Sequence, residues 1–214
     1  MGKHKLWDYR FVSAPGMKSM QFAVYGQLKE VKVGGQPMTV KPIGIEQKTG
    51  INRYEIGMSQ TKARAEEVTF SVLVQPGYSG TLAIAEPVKI GTEEGLMEAG
   101  DWSKTGVLRF YSGGMLYKKT FTLDEQNLKQ RVMLNLGSVV ATCEMKVNGQ
   151  PAGVRMSPPY SMDISPYLKP GKNEVEVLVY STLSNHYQTQ PTPYRGVPTA
   201  GILGPVQLEI YQVK

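Results

Sequence analysis

Residues 131–181, RVMLNLGSVVATCEMKVNGQPAGVRMSPPYSMDISPYLKPGKNEVEVLVYS, decide the fold. Within them Val139, Ala141, Cys143, Met145 and Val147 put an apolar side chain at every second position, while Thr142, Glu144 and Lys146 take the alternate ones. Period two belongs to a strand with one face in a core and the other in water. Asn148-Gly149 follows, and that pair supplies the positive φ angles of a two-residue hairpin turn. A return strand over residues 150–156 runs into Pro158-Pro159, and the short run 160–164 comes next. Ser165-Pro166 has the form of a single helical turn, serine as cap and proline at its first position, closed by Pro170-Gly171. Val175, Val177 and Val179 then carry the buried face of a further strand, opposite Glu174, Glu176 and Leu178. The expected product is an all-β fold, an antiparallel β-sandwich.

Composition agrees with that reading and excludes others. At 214 residues the chain suits one large β-domain or two small ones, and a hydrophobic content of 41% is enough for a packed core. With Gly 23 and Pro 14, many short strands joined by tight connections are expected. The 24 basic and 18 acidic side chains leave 24 − 18 = +6, enough for weak attraction to a polyanion such as an acidic polysaccharide. The basic residues are singles and pairs (Lys3, Lys5, Lys29, Lys32, Lys118-Lys119) rather than a stripe, which argues against nucleic acid. A lone cysteine excludes an intramolecular disulfide, and Cys143, on the apolar side of its strand, reads as a small hydrophobe. No segment approaches the roughly 20 apolar residues of a membrane helix, and residues 1–7 lack the apolar run of a secretory signal.

Working outward, residues 1–15 read as a lead-in strand, and Met20, Phe22 and Val24 alternate in the next. Val31 and Val33 precede Gly34-Gly35-Gln36-Pro37, much as Val147 precedes Asn148-Gly149-Gln150-Pro151. This echo suggests a weak internal repeat of β-lobes, with convergent turn chemistry as the alternative. The expected organisation is a smaller N-terminal β-lobe over 1–95 and a β-sandwich over 96–214, with 84–100 as linker where alternation lapses. Residues 124–131 read as a loop with at most one helical turn. Residues 182–205 are long, poor in apolar periodicity and rich in Pro, Thr, Asn and Tyr; loops of that kind are uncommon and often functional.

Glycoside hydrolysis needs two facing carboxylates, about 5 Å apart for retention and further for inversion. Glu174 and Glu176 would stand about 7 Å apart on one strand face, but a solvated face explains them more simply. Asp101, Asp124 and Asp163 fall beside turns, where aspartate bonds backbone. His4 lies near the chain end and His186 is the one credible site histidine; no G-x-S-x-G elbow occurs, and His and Cys are too few for a transition-metal centre. Sugar binding has the most material, since aromatic rings can cover pyranose C–H faces while planar polar groups take hydroxyls. Asn185, His186 and Tyr187 with Tyr194 and Arg195 would form one rim of a cleft. Trp102 is a further candidate, although it and Tyr160 also suit closing the core.

The order strand, V-N-G turn, P-P-Y, then M-D-I-S-P-Y-L-K-P-G-K-N-E-V-E-V-L-V resembles the sugar-binding, galactose-binding-like jelly-roll domain of family 2 glycoside hydrolases. The ending AGILGPVQL over 200–208 departs from that family's S-G-I-x-R and is more similar to the C-terminal β-sandwich of family 106 α-L-rhamnosidases, as are 100–103, 111–115 and 117–121. The resemblance covers roughly 95–214. It implies a galactose-binding-like jelly roll in a bacterial, extracytoplasmic (periplasmic or secreted) enzyme whose catalytic carboxylates sit on a barrel domain. No βα repeat of that kind occurs here. A non-catalytic carbohydrate-binding or accessory module is therefore expected, with weakly held oligo- or polysaccharide and the parent catalytic domain as partners. The alternative is a structural β-sandwich that supports the barrel without binding sugar. The resemblance also implies that a structural calcium is possible, with ligands the sequence does not place.

Overall fold

Alternation of apolar and polar residues becomes paired antiparallel strands in two units of the computed structural model, which describes residues 5–189 and 198–212. The first unit takes the chain up to Met97 together with Thr105–Leu108. Its strands are β1 (Lys5–Val12), β2 (Met17–Val24), β3 (Gly26–Val33), β4 (Gln36–Pro37), β5 (Lys41–Glu46), β6 (Ile51–Lys62), β7 (Glu67–Val74) and β8 (Ile84–Thr92). They form two sheets, β1-β7-β3-β4 and β5-β6-β2-β8. Val31, Val33, Val68 and Val72 from one sheet and Met20, Phe22 and Ile56 from the other are buried in one core. Phe70 anchors it, stacked on Tyr9 at 4.8 Å between ring centres and tilted against Phe22 at 4.9 Å.

The second unit comprises Glu98–Lys104 and the chain from Arg109 onward. Its strands are β9 (Gly114–Leu123), β10 (Arg131–Asn135), β11 (Ser138–Val140), β12 (Thr142–Val147), β13 (Gln150–Arg155), β14 (Ser161–Asp163), β15 (Gly171–Tyr180), β16 (Gly201–Gly204) and β17 (Gln207–Tyr211). One sheet runs β13-β12-β15-β9, a second β14-β10-β17, and β11 pairs with β16. Val175, Val177 and Val179 are buried on β15, and Cys143, Met145 and Val147 on β12. Only 3-10 turns, and no α-helix, occur among the described residues.

Both units share a strand order. The sheet β4-β3-β7-β1 matches β13-β12-β15-β9, and β6-β2-β8 matches β14-β10-β17, with the strands met in the same succession along the chain. The hairpins match in register: Val33 pairs Gln36 and Lys32 pairs Pro37, as Val147 pairs Gln150 and Lys146 pairs Pro151. Both turns need left-handed backbone at two successive residues, met by Gly34 (φ 56°) and Gly35 (φ 77°) and by Asn148 (φ 50°) and Gly149 (φ 78°). The echo in sequence is thus a repeat of topology.

Four local expectations are corrected, the first being that residues 201–204, read as the end of a long irregular segment, form β16 and pair with β11. Residues 84–92 belong to β8, paired with β2, so the weakened alternation there marks a sheet edge with register shifts rather than a linker. The single strand expected over 139–147 divides at Ala141, because β11 pairs with β16 whereas β12 pairs with β13 and β15. Ser165 is the first residue of its 3-10 turn rather than the cap. The Asp163 carboxylate instead accepts from the Ser165 N–H at 3.0 Å and hydroxyl at 2.7 Å. Those bonds, the hydroxyl's foremost, hold its pKa below the ordinary value.

A pair of asparagines closes one end of the second unit. Asn148 donates to the Tyr167 carbonyl and the Asn173 Oδ1, both at 2.8 Å, and its Oδ1 accepts from the Glu174 N–H at 3.0 Å. Buried Asn173 donates to the Lys169 and Gly171 carbonyls at 2.8 and 3.0 Å and accepts from the Lys169 N–H at 3.0 Å. These side chains complete backbone groups that the hairpin and the turn before β15 leave unpaired. Asn173→Ala is expected to destabilise the fold by about 3 kcal/mol, since several buried partners lose their bonds at once. Urea unfolding followed by circular dichroism checks this; a change under about 0.5 kcal/mol, the surface-substitution level, contradicts it.

Candidate functional site

Residues 182–189 leave β15 through a turn whose start is tied to the chain before β9. Ser181 N–H donates to the Gly113 carbonyl at 3.0 Å, and Gly113 N–H returns a bond to the Ser181 hydroxyl at 3.1 Å. Ser112 Oγ accepts from the His186 N–H at 3.0 Å, which opens the 3-10 turn His186–Thr189. The far end is held in a similar way. Ser103 hydroxyl donates to the Pro198 carbonyl at 3.1 Å, Asp101 Oδ1 accepts from the Ala200 N–H at 3.1 Å, and Trp102 N–H donates to the Ala200 carbonyl at 2.9 Å.

The sequence candidates fall into three groups. Tyr187 is 47% exposed, with the His186 ring edge-on at 5.1 Å, so this pair presents an open aromatic surface on the turn. Asn185 and Trp102 are not on that surface. Trp102 is 1% exposed and tilted against Tyr111 at 6.1 Å, so its faces are taken up by protein and offer no platform to a sugar. Its role is to close the core, as Tyr160 does by donating to the Ala141 carbonyl at 2.8 Å. Asn185 is 0% exposed and therefore cannot form a cleft rim. Tyr194 and Arg195 lie outside the described residues.

Buried polar atoms here depart from the usual rule of satisfaction. Among the described residues, Trp102 Nε1, the Tyr117 hydroxyl and both amide atoms of Asn185 have no hydrogen-bond partner, whereas buried side-chain polar groups are nearly always paired. Tyr117 and Trp102 border the same glycine: a Cβ on Gly201 would meet the Tyr117 hydroxyl at 3.1 Å and Trp102 Cε3 at 3.2 Å. Sequence reasoning missed Tyr117 because it alternates correctly on β9 and reads as ordinary strand. Burial pushes the pKa of its hydroxyl up to about 12, while the nearby Ile202 backbone, outside hydrogen-bond geometry, pulls it the other way.

Carboxylates do not assemble into a reacting pair at the positions read from the sequence. Glu174 is exposed and Glu176 pairs with Lys118 at 3.3 Å, a strand face in solvent. Among the described residues no three His, Cys, Asp or Glu side chains come together as a metal centre. Cys143 is fully buried, and burial raises its thiol pKa, the opposite of what a reactive thiolate needs. No helix among the described residues is long and apolar enough to cross a membrane.

No protein-family model matches the chain. Two curated relatives from Formosa agariphila carry the provisional name beta-glucuronidase. One is 34% identical over 80 residues, covering 36% of this chain and 7% of the relative. The other is 33% identical over 122 residues, covering 54% of this chain and 11% of the relative. The chain therefore spans a small part of the length of the curated relatives it matches. Solved structures to which the chain shows some similarity include the rhamnosidase from Novosphingobium sp. PP1Y, with a TM-score of 0.41 and 17% identity over 97% of this chain and 23% of that one. Another is the beta-D-glucuronidase of Dictyoglomus thermophilum, with a TM-score of 0.36 and 15% identity over 77% and 20%. The chain is similar to part of such proteins, as an all-β segment.

Burial of Tyr117 has a consequence at alkaline pH. Its folded pKa stands above the ordinary value of 10.0, so the folded state keeps a proton that the unfolded state gives up. Its contribution to stability is complete below pH 10 and is lost as pH rises toward 12. Tyr117→Phe is expected to flatten the fall of melting temperature above pH 10; an unchanged alkaline slope contradicts the assignment.

Proposed function

We propose that this chain is a non-catalytic module of a bacterial glycoside hydrolase, acting outside the cytoplasm and binding carbohydrate weakly through the segment between β15 and β16. The observation that carries the reading is a 33–34% identity match confined to 7–11% of much longer proteins named for glucuronide hydrolysis. A segment of that extent, folded as sandwiches, suits an accessory role beside a catalytic domain. Within it the exposed Tyr187 ring, held in place by the His186–Ser112 bond, is the described surface best suited to lie against a pyranose. Calorimetric titration against a panel of neutral and acidic oligosaccharides tests this. Millimolar or tighter binding is expected with at least one sugar, weakened about tenfold in Tyr187→Ala, equivalent to one contact of roughly 1.4 kcal/mol. Absence of heat with every sugar, or unchanged affinity in the variant, overturns the sugar-binding reading.

One feature favours the purely supporting role. Leu208 and Ile210 alternate along β17 and are both exposed, on the side where their register partners Leu134 and Val132 are buried, and Val206 just before the strand is exposed too. An apolar row beside a core suits a protein neighbour. On this reading the chain co-purifies with a separately expressed catalytic portion, and Leu208→Lys with Ile210→Lys abolishes the association.

A further inference from the structure

Comparing the two units strand by strand exposes a groove that exists in the first and is covered in the second. In the second unit, six-residue β13 pairs along β12 from Val147 to Cys143. Its counterpart β4 is two residues long and pairs only with Lys32 and Val33, so among the described residues the edge of β3 from Gly26 to Glu30 has no strand beside it. Opposite that edge stands β5, the outer strand of the other sheet, to which the equivalence assigns no counterpart in the second unit. Between them lies a cavity of about 350 Å³, within the range of small-ligand sites.

Both bordering strands bulge where they line it. Register shifts between Leu28 and Glu30, leaving Lys29 as the extra residue, and between Pro42 and Gly44, leaving Ile43. Bulges bend an edge and re-aim side chains, and they resist addition of another strand. The opening therefore suits a compact ligand better than an extended peptide. Its lining is amphipathic: Leu28 and Tyr54 are buried, Pro42 and Ile45 are exposed, and Gln27 and Asn52 are polar members of it, the Asn52 amide also donating to the Gly50 carbonyl at 3.3 Å. Tyr54 is only 9% exposed, yet its hydroxyl has no hydrogen-bond partner among the described residues.

Charge narrows the ligand. Arg53 is neutralised by a fork on Glu86, at 2.9 and 2.6 Å, with Glu46 at 3.7 Å. Lys29 is not: its ammonium donates to neutral Gln27 at 2.6 Å and pairs with no carboxylate among the described residues. We infer that this groove is a second carbohydrate site, which takes a carboxylated sugar residue. The apolar rim covers a pyranose face, the Gln27 and Asn52 amides and the Tyr54 hydroxyl meet ring hydroxyls, and Lys29 receives the carboxylate. The inference shares with the proposed function the idea of a glycan-binding chain, but it rests on different residues in a different unit.

Amide chemical shifts of the whole 15N-labelled chain, titrated with matched disaccharides ending in glucuronate or in glucose, test it. Saturable shifts are expected at residues 26–29, 41–46 and 52–54 with the glucuronate disaccharide, and about tenfold weaker binding with the glucose one. Exposed Lys29→Gln should bring glucuronate binding down to the glucose level without altering the melting temperature, and Asn52→Ala should weaken both sugars. Tyr187→Ala should leave the groove shifts unchanged, which separates this site from the segment between β15 and β16. Three results overturn the groove site: no shifts there at about 10 mM sugar, weaker than any affinity of functional interest; equal binding of the two sugars; or shifts confined to residues 182–189. The last leaves the proposed function standing.

Discussion

Burial of one apolar side per strand, with every interior backbone group paired to a neighbouring strand, is the constraint on which both units depend. The interior rows are Val175, Val177 and Val179 against Cys143, Met145 and Val147 in one unit and Val68, Phe70 and Val72 in the other, apolar but for the Cys143 thiol. Each strand needs a neighbour to bond, and turns must bring that neighbour back in register. The hairpins at Gly34-Gly35 and Asn148-Gly149 do so identically, and the Asn148–Asn173 network supplies bonds where the ladder ends. Function is thereby displaced to edges and loops.

Two features depart from full burial and pairing. One is the exposed row on β17, an edge that its own sheet does not cover. The other is the group of unpartnered polar atoms on Trp102, Tyr117 and Asn185. Such atoms are costly in isolation, and Trp102 and Asn185 stand in the segments whose hydrogen bonds fix residues 198–200 and the start of the turn after β15. The open Tyr187 surface thus sits on a turn held at Ser112.

Duplicated topology lets one sandwich frame serve different ends. A short β4 and an added β5 open a groove in the first unit; a long β13 shuts the equivalent place in the second, which instead carries the extended loop after β15. The frame is conserved between them because hydrophobic alternation tolerates wide substitution, whereas the edges differ by a few residues of strand length. Carboxylates on strand faces, such as Glu176 beside Lys118, remain ordinary solvent-side pairs.

From sequence alone the all-β class, the Asn-Gly turn, the buried face of β15 and the burial of Cys143 were legible, because period-two alternation and turn chemistry act between near neighbours. Within the candidate site, Tyr187 and His186 were recognised as surface residues of an irregular segment, since nothing in their spacing assigns them to a core. Tertiary structure alone decided that Trp102 and Asn185 are buried, that residues 84–92 are a strand, that 139–147 splits between two sheets, and that one edge of β3, the one away from β7, has no strand beside it from Gly26 to Glu30 among the described residues. Each of these depends on which distant segment lies alongside, and a local pattern carries no information about a partner some hundred residues away, as Ala200 is from Asp101.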